Sequence, residues 1–276
     1  MESQAIGIRW FNDACYEIKL PNGKSILTDP YIDDSPNKLL SSEALNAADY
    51  ILISHSHFDH TLGLTEVLRR FDSQIFCGAQ SGVEIARYYD IPGYAMNLIL
   101  PGETVETGDF RLQAFRGKHT KLPAEVDRPS QWQENVEREG LPVHAAESNL
   151  LGSYEYMIWL LTLRDHRRIL IWGGAANEAA IAQAPKWEPD ITIAQIPRDE
   201  PEQIGRLYGA IGGQFIFPHH HEYFQNGGVE GQAILDAVAG ATKQYAPCMQ
   251  LVFPKKGKWY YLRATLAEET EEGGEA

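Results

Sequence analysis

The segment Tyr50-Ile51-Leu52-Ile53-Ser54-His55-Ser56-His57-Phe58-Asp59-His60 decides how the rest of the chain is read. Its first five residues form an apolar run with aromatic and β-branched members, the composition of a buried strand. The next six carry three imidazoles and one carboxylate within a single loop's reach. Leu62 to Phe71 then predicts a helix with Leu64, Val67, Leu68 and Phe71 on one face. A strand that ends in ligands and feeds a helix holds metal on a rigid support. Imidazole with carboxylate suits borderline divalent ions such as zinc, iron or manganese. A surface loop that is merely rich in histidine is the competing reading. The whole chain has nine His in 276 residues, and such density in one loop argues against it.

Length and composition bound the alternatives. A chain of 276 residues, 43% hydrophobic, builds one large α/β core or two small ones. No apolar run reaches the ~18 residues that span a bilayer. Met1-Glu2-Ser3-Gln4 lacks the basic and apolar regions of a signal peptide. Cys15, Cys77 and Cys248 are odd in number and far apart, so neither a disulfide framework nor a CxxC metal knot is expected. A soluble, cytoplasmic protein is the simplest expectation. The net charge is −14, and Glu268, Glu269, Glu271, Glu272 and Glu275 crowd the last ten residues. Residues 267–276 therefore read as a disordered acidic tail. The body stays acidic without it. Such a surface repels phosphate backbones, so a small-molecule substrate is expected rather than nucleic acid, with no membrane partner. A homo-oligomer is left open.

Outward from the histidine loop, the chain alternates strands with helices. Ile6 to Phe11 and Cys15 to Leu20 read as strands, and Pro21-Asn22-Gly23 as a turn. Lys24 to Thr28 returns as a hairpin ending at Asp29-Pro30. Gln74 to Gly78 reads as a strand, and Ser81 to Tyr89 as a helix with Ser81 at its N-cap. Pro101 to Phe115 reads as a second hairpin. Residues 121–148, with Pro123, Pro129 and Pro142, break the rhythm as an insertion, either a lid over the site mouth or a solvated loop. Then the outline repeats. Tyr154 to Leu163 and Arg168 to Trp172 form a hairpin ending at Gly173-Gly174. Ile191 to Gln195 is a buried strand, Pro201 to Ile211 a helix, and Gln214 to Pro218 a strand running into His219-His220-His221. Gly228 to Ala241 reads as a helix, and Cys248 to Phe253 with Lys258 to Leu262 as a closing hairpin. Strands followed by helices, twice over, predict two sheets packed face to face with helices outside, an α+β fold. Residues 1–266 would form that domain.

His55-x-His57-x-Asp59-His60 resembles the signature of the metallo-β-lactamase superfamily, and the resemblance extends over roughly residues 5 to 262. It implies a four-layer αββα sandwich of two mixed β-sheets flanked by helices, with two adjacent metal sites at their edge. It implies a first site of His55, His57 and a later histidine, with His119 the best match and His144 its rival. The second site takes Asp59, His60 and a histidine near the C-terminal end. Pro218-His219-His220-His221 resembles the family's Pro-x-His pattern, which selects His220, with His219 as runner-up. Along an extended segment His220 points opposite to its two neighbours. Asp29 matches the family's Asp before Pro, which would hold a ligand histidine by its other ring nitrogen. Trp10 to Tyr16 falls where the lactonase-like subgroup carries Gly-His-Ala-Ser, but the histidine is absent.

The departure is at Gly174, where the family places an Asp that bridges both metals. Without it, one tightly held ion is expected and a second is doubtful. Asn177 or Glu178 would replace the bridge only if the turn differs. The cofactor expected is a divalent metal, zinc first, with manganese or iron as alternatives. The function implied is a metal-dependent hydrolase that turns activated water on a small ester, lactone, amide or phosphoester, with Asp59 as the catalytic base. Lys118 and Lys121 flank His119 and would meet an anionic substrate. Two other uses of the fold compete: a metal-binding pseudoenzyme or ligand-binding protein, and an iron-dependent oxidoreductase.

Overall fold

Alternation along the strands sets up the architecture. The computed structural model describes residues 5–119, 134 and 155–263. In chain order the first sheet takes β1 (Ile6–Asn12), β2 (Cys15–Lys19), β3 (Ser25–Thr28), β4 (Tyr50–Leu52), β5 (Gln74–Gly78) and β6 (Met96–Ile99). The second takes β7 (Thr104–Glu106), β8 (Phe110–Arg116), β9 (Met157–Leu163), β10 (Arg168–Trp172), β11 (Ile191–Gln195), β12 (Phe215–His219) and β13 (Gln250–Leu251). The last strand, β14 (Trp259–Leu262), returns to the first sheet beside β1. Each sheet has an antiparallel half followed by a parallel half, so the second sheet repeats the plan of the first.

Strands buried on both faces explain three layers of core. On β9, Met157, Trp159, Leu161 and Leu163 face the first sheet, while Ile158 and Leu160 face the outer helices. β10 does the same, with Ile169 and Ile171 inward and Leu170 and Trp172 outward. Period-two alternation of apolar residues with no polar face is the signature of a covered sheet. The helices α1 (Phe58–Thr61), α2 (Leu64–Arg70) and α3 (Ala79–Tyr88) accompany the first sheet. Leu64, Val67, Leu68 and Phe71 join one cluster with Ile51 and Ile75 of that sheet, as their spacing predicted. α4 (Glu178–Gln183), α5 (Pro201–Ile211), α6 (Glu222–Gln225) and α7 (Gly228–Tyr245) accompany the second. Ile204, Leu207 and Tyr208 of α5 pack there with Leu235 and Val238 of α7. The four-layer αββα sandwich of two mixed sheets is therefore the observed fold.

Three local expectations change. The closing hairpin does not form: β13 pairs with β12 in the second sheet, and β14 pairs antiparallel with β1 in the first. The chain between them crosses from one sheet to the other, and the Gly257 N–H donates to the Trp10 carbonyl at 2.8 Å on the way. Ser81 is not an N-cap, because α3 begins two residues earlier. Its first amides are satisfied from a distance. The Glu155 carboxylate accepts from Gln80 N at 2.9 Å, Ser81 N at 2.8 Å and Ser81 Oγ at 2.6 Å. The histidine loop is itself partly helical, with Asp59 and His60 on the short helix α1, while the helix expected over Leu62 to Phe71 forms as α2. Residues 121–148, apart from Glu134, lie outside the described residues, as do His144, Lys121 and the tail 267–276. Among the described residues, no helix is long and apolar enough to cross a membrane.

Candidate metal centre

Strand ends bring the ligand types together. β4 stops at Leu52, and His55 and His57 follow in the extended segment before α1, which carries Asp59 and His60. β8 delivers His119 from the second sheet, and β12 delivers His220. Side-chain donor atoms of His55, His57 and His119 lie within 4.8 Å of one another, and so do those of Asp59, His60 and His220. The two trios adjoin, since the His55 and His60 rings are 4.0 Å apart between centroids. His55, His57 and His60 are buried. Asp59 Oδ2 is 3.7 Å from both His60 Nε2 and His220 Nε2.

Hydrogen bonds behind the rings set their tautomers. Ser54 Oγ donates to Asp29 Oδ2 at 2.8 Å, and Ser54 N donates to Asp29 Oδ1 at 2.7 Å. His55 Nδ1 is 2.9 Å from Ser54 Oγ, and His60 Nδ1 is 3.0 Å from Asp29 Oδ2. With the Ser54 proton committed to Asp29, each Nδ1 carries hydrogen and donates. Each Nε2 is then the ring nitrogen left for a cation, a lone pair on His55 and on His60 once that ring gives up its second proton. Both of those Nε2 atoms are buried without a hydrogen-bond partner among the described residues. Orphaned buried ring nitrogens of this kind need a partner, and a cation that displaces any proton from them fits. The donor sets, three imidazoles in one trio and two imidazoles with a carboxylate in the other, fit a borderline divalent ion.

The electrostatics divide the two trios. Burial, reinforced by the neighbouring imidazoles, holds His55 well below the ordinary histidine range. Burial also works to lower His60, but the carboxylates of Asp29, Asp59 and Asp13 outweigh it and lift the ring to about 9. The second trio is the anionic half of the centre.

The three consecutive histidines separate clearly. His220 joins Asp59 and His60. His219 Nε2 donates to the Trp172 carbonyl at 3.1 Å and takes no part in either trio. His221 is fully buried and packs on Trp10 with ring centroids 4.4 Å apart. Left-handed backbone concentrates here too, at Asp13 (φ 41°), Asp29 (φ 37°) and His220 (φ 59°). Asp and His tolerate that region better than most residues, and such outliers cluster at functional sites.

Gly174 contributes no ligand, and its surroundings show why. Its φ is +108°, and a Cβ there would lie 2.3 Å from the Lys118 carbonyl oxygen. The Ala175 N–H donates to that same oxygen at 2.8 Å, and Gly174 N donates to Gln195 Oε1 at 2.7 Å. The turn is thus closed against the backbone that carries His119. Neither candidate replacement reaches the centre. Asn177 Oδ1 accepts from Ala180 N as the cap of α4, and Glu178 pairs with Arg206 at 2.8 Å.

Several residues of the centre were not among those singled out in the sequence. Ser54, Tyr156 and Tyr223 carry no motif. Tyr156 stacks on His55 at 4.4 Å between ring centroids, and Tyr223 meets the His220 ring edge-on at 5.5 Å. Asp13 had a signal, a charged residue between two apolar strands in the segment Trp10 to Tyr16.

Relatives agree with this picture. A metal-dependent hydrolase of the UPF0173 group from Koribacter versatilis is 28% identical over 120 residues, covering 44% of this chain and 50% of that protein. The chain spans about half the length of the curated relatives it matches. Among solved structures, the metallo hydrolase Igni18 of Ignicoccus hospitalis superposes with a TM-score of 0.67 at 13% identity, over 95% of this chain and 100% of that one. An isothiocyanate hydrolase from Delia radicum gut bacteria superposes with a TM-score of 0.62 at 14% identity, over 94% of this chain and 100% of that one. At such identities the likeness is one of fold. The family described as Beta-lactamase superfamily domain matches residues 7–144, half of the sequence, and this chain belongs to it.

Proposed function

We propose that the chain is a metal-dependent hydrolase of small molecules, working at the paired trios. The observation that carries this reading is the pair of orphaned Nε2 atoms on His55 and His60, each fixed from behind through Ser54 and Asp29. His55, His57 and His119 would hold one divalent cation, and Asp59, His60 and His220 a second. A cation held there supplies Lewis acidity, polarising the scissile bond and lowering the pKa of water toward neutrality. Asp59 would orient the attacking water and accept its proton, since its carboxylate lies 3.7 Å from both His60 Nε2 and His220 Nε2 and is the least buried member of its trio. Asp29 and Ser54 keep His60 and His55 turned toward the centre.

A cavity of about 590 Å³ adjoins the first trio and is lined by His119, Lys118, Arg116, Trp172 and Asn177. That is the size of a small-molecule pocket, about 300–1,000 Å³. Its apolar wall and two cationic side chains favour a compact ester, lactone, amide or phosphoester with an anionic group. Zinc is the cation proposed first.

The test is hydrolysis of a panel of such esters, lactones, amides and phosphoesters by zinc-loaded protein, with chelation and His57→Ala as controls. Turnover that both controls abolish is the expected result. Ligand binding in the cavity with no turnover anywhere on the panel would replace the hydrolase with a binding protein. Turnover that requires iron and oxygen would replace it with an oxidoreductase.

A further inference from the structure

The cavity beside the first trio has two unlike ends, and strand alternation builds the apolar one. Ile158 of β9 and Trp172 at the end of β10 belong to the cluster between the second sheet and its helices, so both face outward from the sandwich. Both also line the cavity, whose floor is therefore the outer face of that sheet.

The opposite wall is α4. Ala179 and Gln183 are four residues apart and share one face of that helix, Ala180 adjoins them, and all three line the cavity. Glu178 and Ala182 share a different face, where Glu178 pairs with Arg206 of α5. Alanine is what leaves the space open. It keeps the helix, with the best propensity of any residue, yet puts a single methyl where a leucine would fill the gap. At the other end the cavity reaches His119 of the first trio, with Lys118 beside it. None of the described residues that line it is acidic, in a chain with 38 Asp and Glu and a net charge of −14. A negative head group at that end meets no repelling carboxylate from them, and the rest of the same molecule meets apolar walls.

We propose that this cavity is the specificity pocket of the hydrolase: the bond to be cleaved lies beside His119, an apolar tail of the substrate lies between α4 and the Ile158–Trp172 face, and Ala180 sets how long that tail can be. The substrate class is an amphiphile, a polar hydrolysable head carrying a short apolar tail. The inference rests on the hydrolase reading above and deepens it.

The experiment is calorimetric titration of the full chain with linear carboxylates from butanoate to octanoate, the carboxylate standing for the reacting head. Wild type, Ala180→Leu and Ala182→Leu are compared, each zinc-loaded and chelator-stripped, with bound zinc counted. Wild-type affinity should rise about two- to fourfold per added CH2, as burial of a methylene requires. Ala180→Leu should bind butanoate as wild type does and octanoate about tenfold more weakly or worse, because the leucine takes the space of the tail. Ala182→Leu, exposed on the Glu178 face, should follow wild type at every length, and all three proteins should hold the same zinc. Affinity independent of chain length, or no binding of any member, overturns the inference and leaves the metal centre standing. So does a chain-length profile that Ala180→Leu leaves unchanged, or one that Ala182→Leu alters as much as Ala180→Leu does. No zinc uptake by the wild type overturns the hydrolase reading instead, and the series on stripped protein then decides by itself whether the pocket takes the tail.

Discussion

The hydroxyl of Tyr156 rests against the α-carbon of Gly173, so closely that a Cβ added there would lie 1.8 Å from Oη. The same ring stacks on His55, and the Tyr156 carbonyl accepts from Gly117 N at 2.7 Å. One residue thus packs the turn after β10, the segment leading to His119, and a ligand ring. Gly173→Ala should destabilise the protein by about 2 kcal/mol or more through overpacking. In the double variant with Tyr156→Ala the clash disappears, so the two costs should fall short of additivity by about 1–3 kcal/mol. Urea denaturation of the four proteins in the cycle measures this, and strict additivity would show that the contact carries no strain.

Restoring an aspartate at position 174 should not restore a bridge. Its Cβ would meet the Lys118 carbonyl oxygen at 2.3 Å, and φ of +108° is unfavourable for any L side chain. Gly174→Asp should lower stability by about 2 kcal/mol or more and disturb His119 through the Lys118 backbone. Calorimetry together with zinc counting checks it. A stable variant that binds more zinc than wild type would mean that the turn relaxes.

The layers of the fold were legible in the sequence because they depend on periodicity. Period-two runs such as Ile191 to Gln195, and the helical spacing of Pro201 to Ile211, match the observed elements to the residue. The histidine loop was legible because four ligands in six positions leave few other readings. What escaped were pairings between distant residues. Glu155 caps α3 from the start of β9, so no local signal marks the helix start. β13 and β14 have hairpin composition, yet their partners lie in different sheets. Tyr156 and Ser54 are unremarkable residue types that matter only through what they touch. Gly174 was recognised as a missing ligand, but its closure on the Lys118 carbonyl is a tertiary fact.

Asp29 holds His60 through an acceptor, and an amide cannot do the same on both oxygens. In Asp29→Asn one position still accepts from Ser54, while the NH2 group faces a donating Nδ1–H or Ser54 Oγ–H. His60 should then lose its fixed tautomer. Zinc affinity at the second trio should fall about 10–100-fold, the range seen when outer partners of ligand histidines are removed. Competition with a chromophoric chelator reads this directly, and unchanged affinity would remove Asp29 from the support of the centre.

Buried histidines give the metal-stripped protein opposite pH limbs. Burial above all lowers His219 to about 3 and His221 to about 4, against 6.5 for a free imidazole. Between those values and 6.5 the unfolded chain binds the extra protons, so their contribution is full above pH 6.5 and is lost as pH falls toward 3–4. His60, raised to about 9, works the other way. Its contribution is full below pH 6.5 and is lost as pH rises through about 9. Stability of stripped protein should therefore peak near neutrality, with each group setting a slope on the order of 1 kcal/mol per pH unit at most. Asp29→Asn should flatten the alkaline limb alone. Urea midpoints from pH 4 to 10 decide it, and an alkaline limb unaffected by that substitution would mean that another group titrates there.

Glu155 offers a check on how the two halves of the sandwich are joined. It stands at the entry to β9 in the second sheet, yet its carboxylate satisfies the N-terminus of α3, which packs on the first. Gly78 has to be glycine for this contact, since a Cβ there would lie 2.3 Å from the Glu155 carboxyl. An acidic group at a helix N-terminus gains from both the free amides and the dipole. Glu155→Gln keeps the shape but removes the charge and turns one acceptor into a donor. The expected cost is about 1–3 kcal/mol, since buried amides and the Ser81 hydroxyl lose a charged acceptor. For a domain of this size that lowers the melting temperature by several degrees, at about 2–4 °C per kcal/mol. Zinc stoichiometry should not change, because Glu155 belongs to neither trio. Amide exchange should quicken first at Gln80 and Ser81. If those amides keep their protection, α3 is held by its apolar face on the first sheet, and the link across the sandwich contributes little.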